Sequence, residues 1–94
     1  MAIRPDKKFD RLFETILQLE TIEECYTFFD DLCTIGEITD MRDRLEVAEL
    51  LLHGETYETI EHKTKMSSAT ISRVNRCLQH GEGGYRMMLE RTKK

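Results

Sequence analysis

Hydrophobic side chains recur at the spacing of an α-helix along most of this chain. In the first such run, the i, i+3, i+4, i+7 rule is followed by Phe9, Leu12, Phe13, Ile16 and Leu17. That run predicts a helix from about Asp6, directly after Pro5, to about Leu19. Its apolar stripe is wide, so one side of the helix must be covered by other parts of the fold.

Two capping boxes predict the starts of the next two helices. In each box a threonine precedes a glutamate by three residues, as in Thr21 with Glu24 and Thr34 with Glu37. The threonine hydroxyl accepts from the later amide, and the carboxylate reaches back to the threonine amide. The apolar positions that follow predict helices over residues 22–33 and 34–52.

The segment from Gly54 to Gly81 has the pattern of a helix-turn-helix. Gly54 can close the preceding helix, and Thr56 can cap a short helix that ends near Lys63. Residues 64–66 supply a turn. Ser67 then caps a helix over residues 68–79 that Gly81 ends.

A final helix over residues 84–92 completes an all-α fold of six helices with no strand. We interpret residues 1–94 as one domain, with dimerisation helices in 1–53 and the helix-turn-helix in 56–79. The first two helices carry large apolar side chains on more sides than a monomer of this size could bury, notably Phe9, Phe13, Phe28 and Phe29. A homodimer built from these helices would cover it.

The second helix of the motif separates an apolar side from a polar one. At 100° per residue, Ile71, Val74 and Leu78 share the inward side. The outward side collects Ala69, Ser72, Arg73 and Arg76, with Ser68 at the N-terminal tip. Arginine reads guanine, serine and threonine contact either base type, and alanine meets the thymine methyl, so this side suits the major groove.

Charge is divided unequally along the chain. The whole sequence has a net charge of −4, yet residues 1–55 hold 6 basic and 14 acidic residues, while residues 56–94 hold 8 basic and 4 acidic. The cationic part coincides with the helix-turn-helix, which favours double-stranded DNA as the partner. A solvated basic face on an otherwise acidic protein is the alternative interpretation.

Other functional classes receive no support from the sequence. No apolar run of 18 residues and no signal peptide is present, so we expect a cytoplasmic protein without membrane contact. The three cysteines and three histidines lack the spacing of a metal site, and no metal is predicted.

The chain from Thr34 through Leu78 resembles the Trp repressor family. The resemblance depends on two single residues and three short segments of the sequence. These are Thr34, Arg44, Glu49-Leu50-Leu51, Gly54-Glu55 and Ala69-Thr70-Ile71-Ser72-Arg73. It implies an intertwined, all-helical homodimer of bacterial type with a flexible helix-turn-helix on each subunit. For DNA contact it points to Ser68, Ala69, Thr70, Ser72 and Arg73, and we add Ser67, Arg76, Lys63 and Lys65 as neighbouring polar or cationic groups.

The resemblance also implies a small-molecule effector site. Members that bind L-tryptophan would place it against the positions of Thr34, Arg44, Thr70, Arg73, Val74 and Cys77. The family pattern has glycine where Val74 stands and serine where Cys77 stands, and both changes argue against L-tryptophan. A different small effector, or none, fits better. Otherwise Arg44 and Arg73 would simply pair with Asp40, Asp43 or Glu46 at the surface.

These observations predict a transcriptional regulator, a repressor, that acts as a homodimer on a palindromic operator and is not an enzyme. Two other classes remain. A small helical enzyme resembling chorismate mutase would also use inward arginines, but Gly54 and the 64–66 turn interrupt the long helices it needs. A protein-interaction module that docks on the transcription machinery without reading bases is the stronger alternative.

Overall fold

The computed structural model describes residues 2–93, and that part of the chain is all-helical, as predicted. The six helices are α1 (Lys7–Ile16), α2 (Ile22–Leu32), α3 (Ile35–Leu52), α4 (Tyr57–Thr64), α5 (Ser68–His80) and α6 (Gly84–Arg91). Over residues 2–93, no helix combines the length and apolar character that crossing a lipid bilayer requires.

The first helix is shorter than its apolar pattern predicts. Asp6 lies outside α1 and caps it, since its carboxylate accepts from the Phe9 amide at 2.7 Å. At the other end, the amides of Gln18 and Leu19 bond to carbonyls only three residues earlier, at 3.1 and 3.0 Å. The prediction that the helix reaches Leu19 is therefore wrong, because hydrophobic spacing continues after the backbone has tightened out of α-helical geometry.

Of the two predicted capping boxes, only the second has the expected pair of hydrogen bonds. The Thr34 amide donates to the Glu37 carboxylate at 2.8 Å, and the Glu37 amide donates to the Thr34 hydroxyl at 3.2 Å. The backbone hydrogen bond from Thr34, followed by the bond with its side chain, lowers the pKa of Glu37. The contribution of the box to stability is thus present above the ordinary glutamate pKa and is lost as pH falls through the lowered value.

The first box differs from its prediction in one partner. The Thr21 hydroxyl accepts from the Glu24 amide at 3.0 Å, as expected. The Glu24 carboxylate, however, accepts from the amide of Glu20 at 2.9 Å and not from Thr21. The longer reach is available because the glutamate side chain extends past the capping residue to the next exposed donor.

Gly54 ends α3 in the left-handed geometry that the sequence predicts. Its φ is +85°, its amide donates to the Leu51 carbonyl at 3.0 Å, and the Glu55 amide donates to the Leu50 carbonyl at 3.1 Å. These two bonds make a Schellman motif, which satisfies carbonyls at the end of the helix. Gly81 ends α5 differently, with an extended backbone at φ −85°.

The chain forms two compact units, residues 1–38 and 39–94, and the boundary lies within α3. Among residues 2–93, the fully buried ones belong to the second unit and come from α3, α4 and α5: Val47, Ala48, Ile60, Ile71 and Val74. In the first unit, neither α1 nor α2 has a buried residue. The single-domain interpretation of residues 1–94 stays a prediction.

The turn between α4 and α5 contains a residue in a rarely occupied conformation. Lys65 has φ +62° and ψ +14°, and it is the one non-glycine residue at positive φ in the described chain. Its amide donates to the Glu61 carbonyl at 2.9 Å. On either side of it, the Thr64 hydroxyl donates to the Ile60 carbonyl and accepts from the Met66 amide, at 2.7 and 3.1 Å. These bonds hold the turn against the strain at Lys65.

Replacement of Lys65 by glycine should therefore stabilise the fold. The left-handed conformation costs a non-glycine residue about 1–2 kcal/mol, and the added flexibility of unfolded glycine offsets about 0.5–1 kcal/mol of that gain. We expect urea denaturation to show a net gain of up to about 1.5 kcal/mol. Lys65→Ala is the control, because it removes the same charge and keeps the strain. Equal stability of the two variants would contradict the role of the backbone.

Candidate nucleic-acid interface

One side of α5 is fixed by the core of the second unit. Ile71 and Val74 are fully buried and belong to the same cluster as Ile60 of α4. Leu78 is partly buried against that cluster, as the helical arithmetic predicts. With its apolar stripe held in this way, α5 has one orientation relative to α4, and its polar side must face outward.

The outward side carries the residues that the sequence assigns to it. Ala69, Ser72, Arg73 and Arg76 are all exposed, while Thr70 at the edge is half-buried. No acidic side chain occurs in α5. Short polar groups and two guanidiniums therefore lie together on one face of the helix, and α5 itself contributes no carboxylate that would repel phosphate.

The N-terminus of α5 is built by Ser67, which caps it as predicted. The Ser67 hydroxyl accepts from the Thr70 amide at 3.2 Å, and the two hydroxyl groups lie 3.2 Å apart. A phosphate would therefore have to compete with Thr70 for the Ser67 hydroxyl. The first amides of a helix have no intrahelical acceptor, so those of Ser68 and Ala69 remain available to an anion.

The two lysines next to the turn differ in their surroundings. Lys65 is exposed at the turn itself. Lys63, on α4, places its ammonium group 3.3 Å from the carboxylate of Glu55, with side-chain exposures of 49% and 34%. An ion pair this open to solvent is weak, but phosphate would have to compete with Glu55 for Lys63.

Removing that competitor should increase affinity for DNA. In a Glu55→Gln variant, Lys63 is freed and one negative charge next to the interface is lost. Because exposed pairs contribute about 0.2–1 kcal/mol, we expect a roughly 1.4- to 5-fold gain in affinity for any duplex, measured by fluorescence anisotropy. Glu90→Gln on α6 removes the same charge elsewhere and serves as control. A gain of equal size in both variants would contradict a specific role for the ion pair.

A small cleft adjoins the outward strip. It has a volume of about 200 Å³ and is lined by Asp40, Asp43, Arg44, Met66, Thr70 and Arg73. The cleft thus brings together three of the six predicted effector residues. Two carboxylates and two guanidiniums around one opening could hold a small molecule that carries both signs of charge.

Within residues 2–93, Arg44 and Arg73 do not form the surface ion pairs with Asp40, Asp43 or Glu46 that the sequence offers as an alternative. Asp43 pairs with Arg42, with 2.9 Å between the carboxylate and the guanidinium. Within residues 2–93, neither Arg44 nor Arg73 lies within 4.0 Å of a carboxylate. Their guanidiniums are therefore available to an external anion.

The remaining predicted effector residues do not line the cleft. Val74 is 1% exposed and packs in the core, and Cys77 is an exposed thiol. Thr34 belongs to the first unit, where its hydroxyl is engaged with Glu37. The Val74 side chain therefore packs in the core and does not occupy space in the cleft.

Sequence reasoning missed part of this lining. The sequence predicts Met66 only as a turn residue, and Asp40 and Asp43 only as partners for surface pairing. The spacing of Asp40 and Arg44 was a usable signal, because residues four apart share a helix face. Met66 gave no such signal, since its position depends on the conformation of the turn.

Comparison with known proteins agrees with this geometry. A model of the Trp repressor protein family matches residues 7–93. The chain belongs to the Trp repressor family. Because the match spans residues 7–93, the resemblance inferred from Thr34 through Leu78 is confirmed and extends over both units. This family is a regulatory DNA-binding fold and not a family of enzymes.

Individual relatives of this Trp repressor family member are similar over nearly its whole length. YerC of Bacillus subtilis (strain 168), an uncharacterised protein, is 56% identical over 88 residues, which are 94% of this chain and 85% of YerC. A crystal structure of a protein described as a proposed Trp repressor, from Staphylococcus aureus, superposes with a TM-score of 0.90 at 52% identity, covering 93% and 87% of the two chains. A TrpR-like protein from Eubacterium eligens ATCC 27750 gives 0.89 at 46% identity, covering 92% and 89%.

Proposed function

We propose that this protein is a cytoplasmic transcriptional regulator, a repressor, that reads a palindromic DNA operator through α5. The main support for this proposal is that α5 has a buried apolar side and, opposite it, an exposed strip containing Arg73 and Arg76. The predicted contacts divide by chemistry. Ser68, Ala69, Thr70, Ser72 and Arg73 would face base edges, and Ser67, Lys63, Lys65 and Arg76 would contact phosphate.

The active form in this proposal is a homodimer. Helices α1 and α2 have no buried residue, and large apolar side chains on them remain exposed, including Phe9, Phe13 and Tyr26. A second copy would remove that surface from water, which favours association at about 25 cal/mol per Å² of apolar area. A two-fold pair of recognition helices about 34 Å apart would meet successive major grooves of one duplex.

Selection of bound duplexes from a random pool tests the proposal directly. We expect enrichment of a palindromic sequence whose half-sites lie about one helical turn apart. Affinity for that sequence should fall steeply with salt, because phosphate contacts release counterions. A protein-interaction module would enrich no sequence and bind no duplex, and that outcome would sink the assignment of α5 as a reader.

We also propose that the cleft between α3 and α5 holds a small effector. Its support is the joining of Arg44 and Arg73, which suit a carboxylate, with Asp40 and Asp43, which suit an ammonium group. The cleft volume of about 200 Å³ lies below the range of about 300–1,000 Å³ typical of small-molecule sites. A compact zwitterion fits that description better than the indole of L-tryptophan.

A thermal-shift screen of the amino acids examines this effector hypothesis. A ligand present at 100 times its dissociation constant stabilises the folded protein by about 2.7 kcal/mol. The shift should disappear in Arg44→Ala, which keeps the DNA-facing strip intact. If no zwitterion raises the melting temperature, the cleft is not an effector site of this kind.

A further inference from the structure

A second cleft lies within the second unit, between the end of α3 and α6. Its volume is about 650 Å³, which falls in the range of about 300–1,000 Å³ typical of small-molecule sites. Its lining combines both signs of charge with apolar side chains, and it includes Glu49, Leu52, Arg86, Leu89, Glu90 and Lys93. None of these residues lines the smaller cleft beside Arg73. The two clefts are therefore separate candidate sites.

The residues of α6 that line this cleft differ in character along one side of the helix. Arg86 and Glu90 are four residues apart, which places them on the same face and about 6 Å from each other along the helix axis. Leu89 lies between them in sequence and is half-buried against the core. One side of α6 thus contributes a guanidinium, an apolar side chain and a carboxylate to the cleft.

The charged groups of this cleft are not paired with one another. Arg86 and Glu90 have the spacing at which ion pairs commonly form within a helix. Within residues 2–93, however, no oppositely charged group lies within 4.0 Å of either side chain, and the same holds for Glu49 and Lys93. The Arg86 guanidinium instead donates to the Leu78 carbonyl at 3.4 Å, which uses one of its five N–H donors. An external molecule can therefore bond to both signs of charge without breaking an ion pair.

The separation of the two charges on α6 selects the kind of molecule that could join them. A carboxylate is a strong partner for a guanidinium, because the two can form a pair of parallel hydrogen bonds, and an ammonium group is a matching partner for a carboxylate. A free α-amino acid carries both of its charges on one carbon, so it is too short to span about 6 Å, whereas two extended residues reach about 7 Å. A dipeptide with free ends has the required charges and length, and apolar side chains on it would cover Leu52 and Leu89.

We propose that this cleft binds an apolar dipeptide. The carboxylate of the ligand bonds to Arg86, its ammonium group bonds to Glu90, and its side chains pack against Leu52 and Leu89. The site uses neither the outward strip of α5 nor the smaller cleft, so it does not depend on the DNA-binding function proposed above.

Isothermal titration calorimetry of the full chain with leucyl-leucine tests this site. N-acetyl-leucyl-leucine lacks the ammonium group, and leucyl-leucine amide lacks the carboxylate. Each modification should raise the dissociation constant about 5- to 150-fold, because a hydrogen bond between charged groups is lost. Free leucine is too short to reach both groups and should bind no better than the modified dipeptides. These comparisons leave the protein unchanged, so they remain decisive even if a variant does not fold.

Variants assign each end of the dipeptide to its partner. Arg86→Ala should weaken binding of leucyl-leucine by a similar factor, and it should bind leucyl-leucine and its amide equally, since the group that distinguishes them is gone. Glu90→Gln should bind leucyl-leucine and its N-acetyl form equally for the same reason. Arg91→Ala is the matched control, because it removes a guanidinium of α6 that does not line the cleft, and the dissociation constant should not change.

Several outcomes would overturn the dipeptide site. A lack of detectable binding by leucyl-leucine at millimolar concentration is one, and equal binding of the dipeptide and its two modified forms is another. Unchanged binding in Arg86→Ala together with a loss in Arg44→Ala would move the ligand to the smaller cleft. The titrations contain no DNA, so each of these results leaves the operator reading proposed for α5 standing.

Discussion

Replacement of Arg73 by alanine is expected to weaken binding to the selected operator by about 1–3 kcal/mol, or about 5- to 150-fold. Arg73 is exposed on the outward side of α5, and no carboxylate in residues 2–93 lies within 4.0 Å of its guanidinium. It is therefore free to donate two hydrogen bonds to guanine. Fluorescence anisotropy with the operator and with a scrambled duplex measures the loss and its sequence dependence.

The comparison of duplexes distinguishes base reading from phosphate contact. If Arg73 reads a base, Arg73→Ala lowers affinity for the operator much more than for the scrambled duplex. Arg91→Ala on α6, which removes one cation outside the strip, should change neither much. An equal loss on both duplexes would assign Arg73 to phosphate, and no loss on either would remove it from the interface.

Replacement of Ile71 by alanine should destabilise the second unit by about 2–5 kcal/mol. The Ile71 side chain is fully buried and shares a cluster with Ile60 of α4 and Val47 of α3. The free energy of unfolding of a native protein is about 5–15 kcal/mol, so this loss is a large fraction of the total stability. Because the midpoint of an oligomer depends on concentration, denaturation is compared at one protein concentration.

The neighbouring residue gives a matched control for that experiment. Ser72 is exposed on the other side of the same helical turn, and Ser72→Ala should change stability by less than about 0.5 kcal/mol. The two variants therefore separate the inward from the outward side of α5. A loss below about 1 kcal/mol for Ile71→Ala would mean that α5 is not anchored by this core.

The architecture of the helix-turn-helix was predictable because local chemistry specifies it. Thr56 and Ser67 cap α4 and α5, as their residue types indicate, and Gly54 takes the left-handed geometry that ends α3. The apolar period then assigned Ile71 and Val74 to the core. Each of these predictions depends on contacts within four or five residues, which a sequence displays directly.

Features that depend on backbone detail or on distant residues were not predictable. Lys65 takes positive φ because the turn requires it, although its residue type gives no indication. Glu24 selects the amide of Glu20 over that of Thr21, a choice between two donors of equal chemistry. Met66 lines the cleft beside Arg73 only because of the conformation of the turn. The sequence therefore indicates Arg44, Thr70 and Arg73 for the cleft, but not the other residues that line it or how they come together.

The position of Arg73 links two predicted ligands of this protein. Its side chain belongs both to the exposed strip of α5 and to the lining of the cleft with Arg44. If the proposed effector binds the Arg73 guanidinium in the cleft, it competes with duplex DNA for that group. Thermodynamic linkage then makes the influence mutual, so that operator DNA changes the affinity for the small molecule by the same factor. Through Arg73, the concentration of the small molecule would then control how much operator DNA is bound, and bound operator would in turn change the affinity for the small molecule.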